Sequence, residues 1–329
     1  MRIGIIGFGY WGTILARCFA RAPHVEICCI ADIAPERLVE ARRQFPNAVL
    51  TSTSAEAVDM ENADVLVIAT PSNTHHEIAK AALEAGKHVW IEKPVAETAE
   101  QATALVLLAQ ERKRLLFIDH TYIYSDSIRL IKQMMAGKDF GDMQRYHSVR
   151  INNGRARKDS SIFHDLAVHD LAILDFLVGE GPLAVAVTGQ AEDEEQHIAL
   201  TYSSGLKAEI RVNWCAPDRV RRITISSHDQ SIEFDDTQLR DKVRIHQHLH
   251  PCAPTVNLGD IDVDSHSGSV LPLESTTETL ANAVENFLHC IRTGEKPASD
   301  GWQGVRLAAI LDACLSSAKG VGQWTEVGR

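Results

Sequence analysis

Four side chains able to move protons or ligate metals, His164, Asp165, His169 and Asp170, fall inside the otherwise apolar segment SSIFHDLAVHDLAIL (160–174). The pair His-Asp occurs twice there, which invites a metal site. On a helix of about 3.6 residues per turn, however, His164 and His169 diverge, and Asp170 lies about 100° round from His169. Asp165 and His169, four apart, share one face and can touch each other or a common ligand. That pairing suits general acid/base chemistry: a histidine with an ordinary pKa near 6.5 exchanges protons near neutrality, and a carboxylate beside it can steady it. The plainer reading, Asp165 capping a helix and His169 satisfied in the core, stays open on these residues alone. His164 and Asp170 read as supporting residues or helix-surface groups.

A second candidate is Lys93, which closes the apolar run HVWIEK (88–93). A cation at the carboxyl end of a parallel strand lies where α/β sheets place ligands, and could stabilise a developing oxyanion. By itself it could equally be a solvated strand-end lysine.

The third is GFGYWG (7–12), a G-x-G-x-x-G pattern that follows an apolar strand and opens a helix. Gly7 would permit the tight turn, Gly9 the approach of a pyrophosphate to the helix N-terminus, and Gly12 close helix–strand packing, with Phe8, Tyr10 and Trp11 completing the loop. Asp32 follows Gly12 by twenty residues at the end of the next strand. Its carboxylate could accept both ribose hydroxyls of an adenosine and would repel a 2′-phosphate, which favours NAD over NADP. Arg37, five residues on, could counter that preference.

These groups need a frame. RIGIIG (2–7), VEICCIAD (25–32), DVLVIAT (64–70), HVWIEK (88–93) and LLFIDH (115–120) read as buried strands, alternating with helical patterns near 10–20, 35–44, 74–85 and 98–112. Such alternation predicts a doubly wound parallel sheet of the Rossmann type over residues 1–120. From 121 to 329 the pattern changes. A helix near 125–136 precedes QRYHSVRIN, AVAVTGQAE, HIALTYSS, KAEIRVNW, RRITISS and SIEFDD, which predict an open, mostly antiparallel sheet interrupted by a helix over 165–178. STTE (275–278) reads as a capping box for a helix with Leu280, Val284, Phe287, Leu288 and Ile291 on its buried stripe. The C-terminal helices could pack back on the first domain. The fold class is thus α/β, an N-terminal Rossmann domain followed by a C-terminal α/β domain.

Composition narrows the partners. At 329 residues, with 45% hydrophobic and 23% charged residues, the chain suits two soluble domains. Its net charge of −11 argues against nucleic acid and anionic membranes. No apolar run is long enough to span a bilayer, and no secretory signal opens the chain, so a cytoplasmic location is expected. Cys18, Cys28, Cys29, Cys290 and Cys314 lie in apolar segments and read as buried thiols. The basic clusters GRARK (154–158) and DRVRR (218–222) could form a local anion site or simply a solvated loop and strand edge.

Together, IGFGYWG, ATPSNTHHEIAKAALEAGKHVWIEKPVA, DLAVHDLAIL and the C-terminal DGWQGVRLAAILDACLSSAKG resemble the Gfo/Idh/MocA oxidoreductase family over nearly the whole chain. The resemblance implies transfer of a hydride between NAD(H) and a carbinol or keto carbon of a sugar, cyclitol or nucleotide sugar, in a homodimer or homotetramer. Its E-K-P motif falls on Glu92, Lys93 and Pro94, and its D-x-x-x-H motif on Asp165 and His169. Lys93 is then expected beside the nicotinamide and the reacting hydroxyl, and His169, assisted by Asp165, as acid/base. Thr70, Pro71 and His75 resemble the loop beside the nicotinamide ribose. Glu92 and His120 join the expected cofactor contacts, and Tyr122 and Arg155 the substrate contacts. One departure is RKDSSIFHDL, where many members carry a glycine-rich approach to the catalytic helix. With HTYIYSD (120–126) and RINNGRAR (150–157), it resembles branches tied to sugar-nucleotide or deoxysugar metabolism.

His246, His248, His250 and Cys252 alternate and would share one strand face, an arrangement able to hold a transition metal or to sit on an exposed edge. No metal is expected in the reaction. Alternative functions are an NAD-binding regulator without turnover, or a hydrolase or isomerase using NAD with no net redox.

Overall fold

Short apolar runs alternating with amphipathic segments have one economical solution, helices on both faces of a parallel sheet. The computed structural model describes residues 1–137, 139–154, 161–190, 192–248, 269–271, 278–320 and 322–328. Its chain divides into two compact units, Met1–Tyr124 with Thr277–Ala309, and Ser125–Thr276 with Ile310–Arg329.

The first unit contains β1 (Arg2–Ile6), α1 (Tyr10–Arg21), β2 (Glu26–Ala31), α2 (Pro35–Gln44), β3 (Val49–Thr51), α3 (Ser54–Val58), β4 (Val65–Ile68), α4 (His75–Glu84), β5 (His88–Ile91), α5 (Ala99–Arg112) and β6 (Leu116–Ile118). The strands form one parallel sheet in the order β3-β2-β1-β4-β5-β6. Chain order reverses between β1 and β4, which makes their carboxyl ends the switch point where such sheets take ligands. β3 and α3 escape the sequence reading. VLT is too short to register as an apolar run, and becomes a strand only by pairing with β2, Cys29 opposite Val49.

The second unit contains α6 (Asp126–Ala136), β7 (Arg145–Asn153), a π-helical turn (Phe163–Ala167), α7 (Val168–Val178), β8 (Ala184–Thr188), β9 (Glu195–Thr201), β10 (Lys207–Asn213), β11 (Cys215–Ser226), β12 (Gln230–Asp235), β13 (Val243–Gln247) and β14 (Ser269–Val270). With β15 (Thr325–Glu326) they form a nine-stranded sheet, β14-β13-β12-β11-β7-β10-β9-β8-β15, antiparallel throughout except where β10 runs parallel to β7. The expected α-helix from 165 is corrected: a wide π turn comes first and α-helical bonding begins at Val168. That turn carries Phe163, Leu166 and Ala167 into the core while His164 and Asp165 stay half-buried.

Two helices complete the chain, α8 (Thr279–Thr293) and α9 (Gly301–Lys319). The capping-box expectation is corrected, because Glu278 has extended backbone (φ −64, ψ 133) and occupies the cap position with no side-chain hydrogen bond. Ser275, Thr276 and Thr277 lie outside the described residues. Val284, Phe287 and Leu288 are buried as expected, whereas Leu280 and Ile291 are half-buried at the stripe's edges. Phe287 closes an aromatic cluster of the first unit: Trp90 stacks on Phe117 at 4.2 Å, and Phe287 meets their rings at 5.4 and 5.3 Å. Phe19 of α1 adds a fourth ring, 5.2 Å from Trp90, and burying large rings together stabilises this unit.

Candidate functional site

Between β1 and α1 the glycine loop has the geometry its sequence requires. Gly7 takes φ +90, and a Cβ there would lie 2.5 Å from the Ala69 carbonyl oxygen. A Cβ on Gly12 would lie 1.8 Å from the Gly7 oxygen, so neither position admits a side chain. Above Gly9 the nearest atom to a Cβ is Arg37 Nη1 at 3.5 Å, an ordinary contact with a flexible side chain. The N-terminus of α1 has no side-chain cap, leaving its first-turn N–H groups for an anion. Phe8 contributes through its backbone, since its ring is buried against Phe45 at 6.1 Å. Tyr10 and Trp11 are exposed and pack edge to face.

Asp32, just past β2, is 6% exposed yet well supplied with donors. Its Oδ2 accepts the Phe8 N–H at 2.7 Å and its Oδ1 the Ala34 N–H at 2.9 Å. Arg37 Nη1 lies 3.3 Å from Oδ2, with its own side chain half exposed. An ionised carboxylate has about four acceptor directions, so it can receive these donors and ribose hydroxyls as well. The loop, the uncapped helix and this oriented carboxylate fit a dinucleotide.

The loops after β4 and β5 are tied by His75. It is 1% exposed, with Nδ1 2.7 Å from the Pro94 oxygen and Nε2 2.9 Å from the Thr70 oxygen. Expected as a cofactor contact, His75 has both ring nitrogens engaged on backbone carbonyls. These contacts tie together the segments that carry Thr70, Pro71 and Lys93. Burial pulls its pKa below the usual histidine value. The Lys93–Pro94 peptide bond is cis.

Beside Lys93, at the ends of β5 and β6, lie half-buried Glu92 and two groups the solvent barely reaches, Asp119 and His120. Burial, the Asp119 charge and their mutual hydrogen bond push Glu92 well above the carboxylate range. Burial raises Asp119 to about 6, against donation from Thr121. His120 is 3% exposed, and neither ring nitrogen has a partner among the described residues. Burial and the Lys93 charge lower its pKa to about 3, so it is neutral at physiological pH. Asp119 was not legible as a site residue; the only trace was an acid preceding His120 in FIDH. Tyr122 is half-buried in the next turn.

In the second unit, Asp165 lies in the π turn and His169 in the first turn of α7, both half-buried. Asp165 Oδ2 accepts the indole N–H of Trp214 at 2.9 Å, a contact that sequence reasoning missed. A tryptophan only 7% exposed, just past β10, needs an acceptor, and that need was the available signal. Of the two readings open for Asp170, the supporting one holds and the helix-surface one does not: it is 1% exposed, paired with Arg150 and accepting from Ser148 of β7. His164 Nδ1 lies 2.7 Å from the Ser161 hydroxyl. Arg155 lies outside the described residues.

Other constellations resolve differently. Arg221 pairs with Asp236 at 3.5 Å and Arg222 with Asp235 at 3.5 Å, so the DRVRR cluster is neutralised locally at these two arginines rather than offered to an anion. His246 stands opposite Ser231, whose hydroxyl lies 2.7 Å from His248 Nε2. His250 and Cys252 lie outside the described residues. Among the described residues, no group of three His, Cys, Asp or Glu is placed to hold a metal, and no helix is long and apolar enough to cross a membrane. Cys18, Cys28, Cys29, Cys290 and Cys314 are buried free thiols.

A switch-point glycine loop, an oriented acid after the second strand and a separate open-sheet unit define a dinucleotide-binding α/β oxidoreductase. The chain belongs to the Gfo/Idh/MocA oxidoreductase family: the NAD-binding Rossmann model matches residues 1–120 and the C-terminal alpha/beta model residues 146–327. It is 28% identical over 320 residues to UDP-N-acetylglucosamine 3-dehydrogenase of Acidithiobacillus ferrooxidans, covering 94% of this chain and 95% of that one. A solved structure of that enzyme superposes with a TM-score of 0.84 at 25% identity, covering 98% and 99% of the two chains. Inositol 2-dehydrogenase of Rhizobium meliloti is 24% identical, with 96% of each chain covered. The NADP(+)-named scyllo-inositol 2-dehydrogenase of Bacillus subtilis is also 24% identical, over 97% of this chain and 94% of its own.

Proposed function

We propose that this oxidoreductase is an NAD-dependent dehydrogenase acting on a carbinol or keto carbon of a nucleotide sugar, sugar or cyclitol. The observation that carries the cofactor choice is Asp32, a carboxylate oriented by two backbone N–H groups toward the place of an adenosine ribose. NAD, when bound, supplies the hydride acceptor. Lys93, at the carboxyl end of β5, steadies charge on the reacting oxygen, and His169 takes or returns the hydroxyl proton with Asp165 fixing its surroundings. Trp214 holds the Asp165 carboxylate. Nucleotide sugars are favoured among substrates by the likeness to UDP-N-acetylglucosamine 3-dehydrogenase across 95% of its length. The open sheet of the second unit is proposed to pair copies into a dimer or tetramer, which light scattering tests.

The experiment is NADH formation followed at its absorbance band with UDP- and dTDP-sugars, inositols and free sugars. Steady NADH release with one of them is expected. Substrate conversion without net NADH would replace this reading with a transient-redox hydrolase or isomerase. NAD binding with no conversion of any compound would favour a regulator.

A further inference from the structure

His75, the first residue of α4, has a contact at each ring nitrogen: Nδ1 lies 2.7 Å from the Pro94 oxygen and Nε2 2.9 Å from the Thr70 oxygen. Both partners are backbone carbonyls, which only accept. A neutral imidazole carries one N–H and one bare nitrogen, whichever tautomer it takes, so it can donate to just one of them. Its bare nitrogen would then aim a lone pair at the other carbonyl, in a place where the ring is only 1% exposed. Both contacts together need the imidazolium, which donates from both nitrogens. The two carbonyls belong to the segments that follow β4 and β5, so the grip spans the carboxyl ends of two neighbouring strands. Charge reaches the ring from Glu97, which favours the proton, and from Lys93, which opposes it. Its own first turn adds His76 and Glu77, which engage each other at 2.9 Å, and the first turns of the adjacent helices α3 and α5 add Glu56 and Glu100. The segment 69–74 after β4 carries no charged side chain.

We propose that His75 is a positioning residue with a proton-dependent grip: as imidazolium it ties the Thr70 segment to the Pro94 segment, and as imidazole it holds only one of them. The grip is complete below the His75 pKa and half released above it. Burial opposes the proton more than the two carbonyls favour it, so the complete grip lies on the acid side of histidine's ordinary range. Its effect at the cofactor rests on the dehydrogenase reading above, which places Thr70, Pro71 and Lys93 there; the proton count does not. Whichever segment is released carries one of those contacts, and a segment held in place beforehand costs less to order when a ligand binds. Cofactor binding and His75 protonation should then favour each other reciprocally.

Neutron diffraction on crystals of the full-length, cofactor-free protein, exchanged into D2O at about pH 5 and about pH 8 on either side of histidine's ordinary pKa, reads the ring directly. Deuterium on both nitrogens with both carbonyls in contact is expected at the lower pH, and one bare nitrogen with its carbonyl withdrawn at the higher. A neutral ring keeping both contacts, a ring neutral at both pH values, or one charged at both, overturns the proposal. Fluorescence titration tests the coupling: the Kd for NAD should be roughly fivefold or more weaker at the higher pH. His75→Gln, whose carboxamide donates without titrating, should flatten that profile. A flat wild-type profile, or an equal pH dependence in the folded variant, overturns the positioning role; if the variant fails to fold, the neutron maps and the wild-type titration decide. Failure of NAD to bind the wild type at either pH would defeat the dehydrogenase reading, while the neutron maps would still decide the proton.

Discussion

Arg150 Nε lies 2.5 Å from Asp170 Oδ2, with both side chains almost wholly buried. Ser148 completes the contact at 2.6 Å, and the Tyr146 hydroxyl donates to the Asp170 backbone oxygen at 3.2 Å. Three alternate residues of β7 thus grip the residue next to His169, fixing how α7 is rotated on its strand. Removing one partner takes from the other the buried opposite charge it pairs with. Asp170→Asn is therefore expected to cost about 3–5 kcal/mol in urea unfolding. The double variant Arg150→Met with Asp170→Leu should recover most of it; a single-variant loss below about 1 kcal/mol would mean that the pair behaves as a solvated surface bridge.

The Asp32–Arg37 pair makes cofactor choice adjustable. Asp32→Ser removes the charge that would repel a 2′-phosphate and releases the Arg37 guanidinium, 3.3 Å away, to meet one. The NADP:NAD ratio of kcat/KM should rise by roughly 10²-fold, about 2.7 kcal/mol of discrimination. Arg37→Ala should move the ratio the other way. Steady-state kinetics with both cofactors check this, and a wild type that prefers NADP would show the Asp32 argument to be wrong.

His169→Ala should lower turnover by roughly 10²-fold or more while NAD affinity, measured by fluorescence titration, stays near wild type. Trp214→Phe keeps the ring and deletes the donor to Asp165, and should lower kcat more than it raises KM. Unchanged turnover in the histidine variant on the true substrate would remove His169 from the chemistry.

Acid should destabilise the fold through its neutral histidines. His120 is held at about 3 and His88, by burial and the charge of Arg114, at about 4. Both folded values lie below the unfolded value of about 6.5, so the unfolded chain binds more protons below that pH. Their stabilisation is full above about pH 6.5 and is lost as pH falls toward the folded values. Asp119, raised to about 6, works in the opposite sense, its stabilisation being lost as pH rises through that value. Comparing melting temperatures of wild type and His120→Asn at neutral pH and about pH 5 separates the two, since both proteins keep Asp119. The variant should lose less on acidification; an equal loss would assign the effect to other groups.

Much of the frame was legible because it depends on local pattern. Buried strands separated by helices announce a doubly wound sheet, and the glycine loop is recognisable from spacing plus the acid at position 32. What escaped depends on contacts distant in sequence. β3 is a strand only because β2 lies beside it. Whether Asp170 was a supporting residue or a helix-surface group stayed open because its partners are twenty or so residues away on β7, and Trp214 is 49 residues from the carboxylate it holds. The π turn at Phe163–Ala167 was invisible because an assumed period of 3.6 leaves no room for the wider ladder. Asp119 was missed because nothing in its own strand reveals that Glu92 ends the neighbouring one at the same level.

The aromatic cluster around Trp90 and Phe117 takes Phe287 from α8, a helix encoded more than 150 residues downstream of the sheet it covers. A gene fragment ending at Tyr124 would encode every strand of the parallel sheet and still leave those two rings uncovered. Swapping cofactor modules between relatives should therefore need three junctions, one after Tyr124 and a pair bracketing Thr277–Ala309, for the recombinant to fold. Single-crossover chimeras should accumulate in the insoluble fraction.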